Sequence, residues 1–210
     1  MTRFRLCAVT DVSARPGLTH AGVAAAALAG GAPCIQLRAK DLPAGMLLRE
    51  ARAIRAATRA AGALFIVNDR LDVALAAAAD GVHLGQDDLP ATRARRLLPA
   101  GKLLGISTHS LDQARRAVAD GADYIGVGPA FATTTKETGY SPLGLAGLSA
   151  IAAAVPVPVV AIGGITLADA PRVIRVGAMA VALISALMAA PDITAATRGV
   201  LAHLAAEGLA

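Results

Sequence analysis

A chain of 210 residues with a net charge of +5 is long enough for one domain that buries about 70% of its unfolded surface. It is 55% hydrophobic but only 2% aromatic, so its core must be built from Ala, Val, Leu and Ile; three Phe, two Tyr and no Trp leave almost no base-stacking platform for nucleic acid. The positive charge does not restore that function. Arg49, Arg52, Arg55 and Arg59 recur at helical spacing beside alanines and read as a solvated helix face, not a nucleic-acid stripe.

The N-terminus, MTRFRLCAVTD, is too short and too charged for a secretory signal. A strand is expected over 5–10, then a helix over 18–28 closed by Gly30 and Gly31. A second strand, 34–37, leads through Arg38-Ala39-Lys40 to a helix over 44–61 that Gly62 ends. Cys7 and Cys34 lie in these strands without metal-ligand spacing and read as buried, reduced thiols of a cytoplasmic protein. Strands over 64–67 and 81–84 flank a short helix over 71–76, and such a crossover makes the two strands parallel. Pro90 opens a fourth helix that runs to 98. Strands over 103–106, 123–127, 158–162 and 180–184 then alternate with helices over 111–119, 143–154 and 167–176, and a last helix spans 193–206. The longest uncharged run near the end, 176–191, falls short of the roughly 20 residues of a membrane span.

Eight β-α alternations imply an α/β fold, a single (β/α)8 TIM barrel over 1–210. An open doubly wound sheet is the alternative, but near-equal units without a substrate domain suit it less well. No linker or shift in composition marks a second domain. Only 128–142 is a long connection, of a length usually functional or mobile.

In such barrels the active site lies where the strands end. Those ends deliver Asp11, then Gln36, Arg38 and Lys40, then Asn68 and Asp69, then Gln86 and Asp88. Ser107 and His109 follow, then Thr133, Thr135 and Lys136, then Gly163 and Gly164, and finally Ser185. Scattered surface polars would fall at both ends of a barrel; these share one rim. Asp69 and Asp88 end adjacent parallel strands. Two bare carboxylates about 4 Å apart repel by roughly 4 kcal/mol at an effective dielectric near 20, and a cation between them offsets this. Mg²⁺ suits the pair, since it takes one or two carboxylates plus substrate phosphates. Either aspartate could instead cap the helix after it. Arg38, Lys40 and Lys136 bring three cations to the same rim, which beside a metal suggests a diphosphate. Gly163-Gly164 and Ser185 follow the last two strands, where backbone amides often hold phosphate; a tight turn is the simpler role for the glycines.

No nucleophile pair stands out. Ser107 and His109 lack a carboxylate placed to orient the histidine, which argues against an acyl-transfer triad. His83 reads as a core or rim hydrogen-bonder, and His20 and His203 fall in helices without a special role. GxGxxG and GxxxxGK[ST] are absent, so dinucleotide and P-loop binding have no support.

Several blocks together resemble thiamine phosphate synthase: Gln36-Leu37-Arg38-Ala39-Lys40, Asn68-Asp69-Arg70, Asp80-Gly81-Val82-His83-Leu84-Gly85-Gln86-Asp87-Asp88 and Gly105-Ile106-Ser107-Thr108-His109. Gly121-Ala122-Asp123-Tyr124-Ile125-Gly126-Val127-Gly128-Pro129, Thr133-Thr134-Thr135-Lys136 and Ala161-Ile162-Gly163-Gly164-Ile165 continue the likeness over nearly the whole chain. The resemblance implies a transferase of thiamine biosynthesis that joins a hydroxymethylpyrimidine diphosphate to a thiazole phosphate, or its carboxylated form, releasing pyrophosphate. It implies that Asp69 and Asp88 hold Mg²⁺ on the diphosphate and that Arg38, Lys40, Asn68 and Lys136 bind that diphosphate. Gln36 and Ser107 would lie near the pyrimidine, while Thr133, Thr135, Gly164, Ile184 and Ser185 would hold the thiazole phosphate. Arg38, Lys40, Lys136 and Ser107 would carry the catalysis. The implied mechanism is dissociative, so it needs cations on the leaving group and a dry cavity, not a protein nucleophile. Small phosphorylated substrates are the expected partners, with no nucleic acid and no membrane, and a homo-oligomer stays open.

Ala39 stands where the family commonly has an acidic residue, and Glu137-Thr138-Gly139-Tyr140-Ser141 matches no assignable pattern. The related thiazole tautomerase resembles the first three strands and the region of His109, but the Asp88 block and the Thr-x-Thr-Lys run point to the synthase. A catalytically silent phosphate-binding barrel would be expected to have lost a metal carboxylate or a diphosphate cation, and neither is missing.

Overall fold

Short β-branched runs bounded by glycine and acidic residues become strands, and the alanine-rich stretches between them become helices, in a computed structural model that describes residues 4–13, 15, 17–133 and 139–209. The order is β1 (Leu6–Val9), α1 (His20–Ala29), β2 (Cys34–Leu37), α2 (Ala44–Ala61), β3 (Leu64–Asn68), α3 (Leu71–Ala76), β4 (Gly81–Leu84) and α4 (Ala91–Leu97). It continues β5 (Leu103–Thr108), α5 (Leu111–Ala119), β6 (Tyr124–Val127), α6 (Gly144–Ala154), β7 (Val159–Ile162), α7 (Ala170–Arg175), β8 (Ala180–Leu183), α8 (Ser185–Met188) and α9 (Ile193–Ala206). Every strand pairs in parallel with its neighbours, and β1 pairs with β8. That last pairing closes the (β/α)8 barrel and removes the open-sheet alternative.

Side chains alternate across each strand with period two, and the alternation divides the apolar residues into two bodies. Leu6 and Ala8, Ile35 and Leu37, Phe65 and Val67 join a large cluster with the helices outside the sheet. Cys7 and Val9, Cys34, Ile66, Tyr124, Val160, Ala180 and Ala182 form a smaller cluster with Phe4 inside the barrel. The inner residues are mostly small, so the interior is not filled to the top.

Helix α2 shows how the outer layer is built. Leu47, Ala51, Ile54 and Thr58 form its buried stripe, and Gly62 ends it with φ 67°, a left-handed conformation that glycine adopts without strain. Arg49, Arg52 and Arg59 are exposed, as expected of a solvated face. Arg55 is the exception. It is half-buried and its Nη1 donates to Asp80 Oδ2 at 2.7 Å, and the same carboxylate oxygen accepts the Phe65 N–H at 2.9 Å. Asp123 repeats this device before β6, accepting from Arg95 Nη1 at 2.8 Å and from the Leu104 N–H at 2.7 Å.

Element boundaries shift by one to three residues in many places, and four of the shifts bear on the local structure. α1 begins at His20, with Thr19 Oγ1 accepting the Gly22 N–H at 3.0 Å. β5 runs to Thr108 because Ser107 and Thr108 stay paired with Gly126 and Val127. α7 starts only at Ala170, since Thr166 donates from its N–H and hydroxyl to Asp169 Oδ2 at 3.2 and 2.6 Å and holds a turn. β8 stops at Leu183, leaving Ile184 to precede the unexpected four-residue α8. Among the described residues no helix is long and apolar enough to cross a membrane.

Candidate active site at the carboxyl end of the barrel

A cavity of about 300 Å³ opens at the carboxyl ends of the strands and reaches down to Phe4 and Cys7. This lies at the lower end of small-molecule sites. Gln36, Arg38, Lys40, Asn68, Asp69, Asp88, Ser107, Thr133 and Ile184 all line it, so the structure gathers most of the residues singled out from the sequence. Gly163 lines it as well, whereas Gly164 and Ser185 are not among its lining residues. Gly164 packs closely on the preceding loop, where an added Cβ would fall 2.4 Å from the Ala132 carbonyl oxygen, and Ser185 is exposed at the start of α8. Gly163 and Gly164 have φ of 93° and 66°, so the turn itself calls for glycine. Thr135 and Lys136 lie outside the described residues, as do Glu137 and Thr138.

Asp69 follows β3 with φ 64°, a conformation that costs a non-glycine residue energy and clusters at functional positions. Its N–H donates to the His83 carbonyl at 2.8 Å, which extends the β3–β4 pairing to the rim. Asp88 Oδ2 accepts the Gly85 N–H at 2.6 Å and so closes the turn after β4. Neither aspartate caps a helix: α3 and α4 have Arg70 and Pro90 at their N-caps, with no side-chain cap bond. The cap alternative is therefore set aside. Among the described residues no group of three or more His, Cys, Asp or Glu could hold a metal unaided. Two rim carboxylates still fit Mg²⁺, whose remaining ligands are ordinarily water and phosphate oxygens.

The cations are held differently from one another. Arg38 Nη1 donates to Asp11 Oδ2 at 2.6 Å, in a pair whose side chains are only 15% and 14% exposed. Burial opposes ionisation of Asp11, but the Ser13 hydroxyl and amide, together with Arg38, bring its pKa below the usual 3.8. The Arg38 N–H donates to Thr10 Oγ1 at 3.2 Å, and the same hydroxyl is hydrogen-bonded with His20 Nδ1, 2.8 Å away. Burial holds the His20 pKa below 6.5 against the pull of Glu50 and Asp11. His20 thus belongs to the support beneath Arg38, a role not expected from its place on a helix. Among the described residues the side chains of Lys40, Gln36 and Asn68 have no hydrogen-bond or ion-pair partner. Gln36 is nevertheless only 7% exposed. Polar groups aimed into a cavity without protein partners are what a polar ligand satisfies.

The opposite wall is more tightly tied. Gln86 Nε2 donates to the Ser107 carbonyl at 2.6 Å, and Ser107 Oγ lies 2.9 Å from His83 Nε2. His109 donates from Nδ1 to the Gly128 carbonyl, and its ring stacks on Tyr140 at 3.9 Å between centroids. That stacking gives Tyr140, in the unassigned stretch, a definite position over the mouth. At the cavity floor Cys34 Sγ donates to Cys7 Sγ at 3.5 Å, and this bond together with burial pushes the Cys34 thiol well up. Both cysteines are buried and free, as expected.

The sequence matches the family described as "Thiamine monophosphate synthase" over residues 6–187. It is 53% identical over 195 residues to a thiamine-phosphate synthase of Chloroflexus aurantiacus, covering 93% of this chain and 90% of that one. It is 53% identical over 203 residues to the thiamine-phosphate synthase of Methanoculleus marisnigri, covering 97% and 96%. Among solved structures it superposes on a thiamine phosphate pyrophosphorylase from Pyrococcus furiosus with a TM-score of 0.89, at 38% identity over 97% of this chain and 96% of that one.

Proposed function

The chain belongs to the thiamine monophosphate synthase family, and we propose from this premise that its cavity draws a diphosphate away from a pyrimidine methylene and presents that carbon to a thiazole phosphate. The protein is a thiamine-phosphate synthase, a transferase that releases pyrophosphate. One observation carries the assignment of roles: Arg38, Lys40, Asn68, Asp69 and Asp88 share one cavity mouth, although they come from three different strand ends.

In this reading Asp69 and Asp88 hold Mg²⁺, which when bound supplies positive charge to the leaving diphosphate. Arg38, with a guanidinium N–H occupied by Asp11, keeps further donors for phosphate oxygens. Lys40, Asn68 and Lys136 add a mobile charge, an amide and a third cation. Gln36 and Ser107 orient the pyrimidine deeper in the cavity. Thr133, Thr135, Gly164, Ile184 and Ser185 hold the thiazole phosphate, next to Gly163 in the cavity lining. The carbon–oxygen bond breaks as the diphosphate leaves, and the thiazole nitrogen then attacks the pyrimidine methylene cation. The chain's residues contribute position and electrostatics, and no side chain is asked to act as a nucleophile. The barrel works as one cytoplasmic domain over 1–210.

Incubation with a hydroxymethylpyrimidine diphosphate, a thiazole phosphate and Mg²⁺ is expected to release pyrophosphate. Release should fall by about 10²- to 10³-fold in Lys40→Ala, the loss typical of one electrostatic contact to a transition state. No release from folded wild-type protein contradicts the reading.

A further inference from the structure

Three polar side chains on neighbouring strands form a continuous file through the barrel interior. Tyr124 on β6 places its Oη 3.1 Å from His83 Nδ1 on β4, and His83 Nε2 lies 2.9 Å from Ser107 Oγ on β5. Tyr124 is 4% exposed and His83 8% exposed, and both border the cavity together with Ser107. The backbone has been cleared for the two rings. A Cβ at Gly105 would fall 2.2 Å from Tyr124 Cζ and 2.5 Å from His83 Nδ1, and one at Gly126 would fall 2.8 Å from His83 Cε1. Filling those interior positions with Gly, not the usual Val or Ile, sacrifices packing to admit a buried polar chain.

The direction of the protons along the file follows from the partners at its Tyr124 end. Among the described residues the Tyr124 hydroxyl has His83 Nδ1 as its one hydrogen-bond partner. Burial raises the Tyr124 pKa well above 10.0, so the phenol keeps its proton. A buried hydroxyl proton left without an acceptor costs its full desolvation penalty, so Oη donates and Nδ1 accepts. The neutral imidazole then carries its proton on Nε2 and donates it to Ser107 Oγ. The Ser107 hydroxyl proton must in turn point elsewhere, and the open direction is the cavity.

We propose that Tyr124 is a positioning residue which, through the tautomer of His83, sets Ser107 as a hydrogen-bond donor toward a ring-nitrogen acceptor of the heteroaromatic substrate. This deepens the proposed function and rests on it for the identity of the ring. Selection works by hydrogen-bond polarity: a ring presenting a nitrogen lone pair to Ser107 is accepted, and one presenting an N–H there meets a second donor. The Gln36 amide, which has no partner among the described residues and can both donate and accept, faces the same cavity and places no such demand.

The test uses ¹⁵N-histidine-labelled whole protein without ligand, with long-range ¹H–¹⁵N correlation of the four histidines. A His83→Gln variant assigns the signal. Wild-type His83 is expected as the Nε2–H tautomer, and Tyr124→Phe, which keeps the ring and removes the hydroxyl, should show a mixture with Nδ1–H. Ser107→Ala should leave the wild-type tautomer in place, because the phenol sets it. In turnover, Tyr124→Phe should lower kcat/KM for the pyrimidine diphosphate about tenfold, the worth of one neutral hydrogen bond, and leave KM for the thiazole phosphate unchanged. In a Ser107→Ala background the further loss on Tyr124→Phe should vanish. An unchanged tautomer in Tyr124→Phe, a flipped one in Ser107→Ala, or a full loss persisting without Ser107 overturns the proposal. Wild-type protein that releases no pyrophosphate would instead overturn the function itself, and the tautomer spectra would still decide the relay.

Discussion

Acidic residues stand at both ends of this barrel and are treated in opposite ways. At the amino end Asp80 and Asp123 each close the gap between two strands, taking a backbone N–H and an arginine on one oxygen. Their charge is spent inside the fold. At the carboxyl end Asp69 is held in a left-handed conformation and Asp88 commits one oxygen to its own turn, while Lys40, Gln36 and Asn68 face the cavity without a protein partner among the described residues. The same residue types therefore stabilise one face and are held ready for a ligand on the other. At the amino end each acid is paired with an arginine, while Lys40, Gln36 and Asn68 at the carboxyl end lack partners among the described residues, a more direct indicator of a site than residue type.

Substitutions on the two faces should separate activity from stability. The largest effect is expected for Asp88→Asn, which keeps an oxygen for the Gly85 N–H while removing the charge. Pyrophosphate release should fall about 10²- to 10³-fold, with the melting temperature nearly unchanged. Arg38→Ala should lose comparable activity but also melt earlier than Lys40→Ala, because it strands Asp11 in a half-buried pocket. Asp80→Ala reverses the pattern: it leaves the Phe65 N–H and Arg55 without their acceptor and should cost about 1–3 kcal/mol in chemical denaturation, with turnover per folded molecule unchanged. A loss of turnover in Asp80→Ala larger than its loss of folded protein would break the comparison.

The smallest expected effect concerns pH. The folded His20 pKa is depressed, so the unfolded chain binds the proton more readily. Its contribution to stability is complete above the ordinary value of 6.5 and declines as pH falls from there toward the lower folded value. Thermal melts of wild type and His20→Gln across that interval should differ in slope, with the variant flatter. Asp11 behaves likewise in a lower window, losing its contribution as pH falls below 3.8 toward its folded value.

Much of this architecture is legible from spacing alone. Period-two burial in the strands and the glycines ending the helices locate eight β-α units, and the polar residues after each strand mark the rim. What escapes is set by distance along the chain. Tyr124, His83 and Ser107 meet because β4, β5 and β6 lie side by side, and Tyr124 and His83 are 41 residues apart in sequence. α8 has four residues, too few for a helical period to show. Asp80 and Asp123 looked like parts of motif blocks. Their structural role had a signal, an arginine 25 and 28 residues upstream of an acid that immediately precedes a strand. Arg55 read as solvated for the same reason, since its partner lies across a strand and a helix.

Binding of Mg²⁺ and pyrophosphate together, followed by calorimetry in wild type, Asp69→Asn and Asp88→Asn, tests the shared mouth most directly. The ternary complex should form with wild type and weaken at least tenfold in each variant, while all three proteins melt alike. Equal affinity in the three proteins would mean that the two carboxylates do not act on one ligand, and the proposed division of labour between the barrel's ends would be wrong.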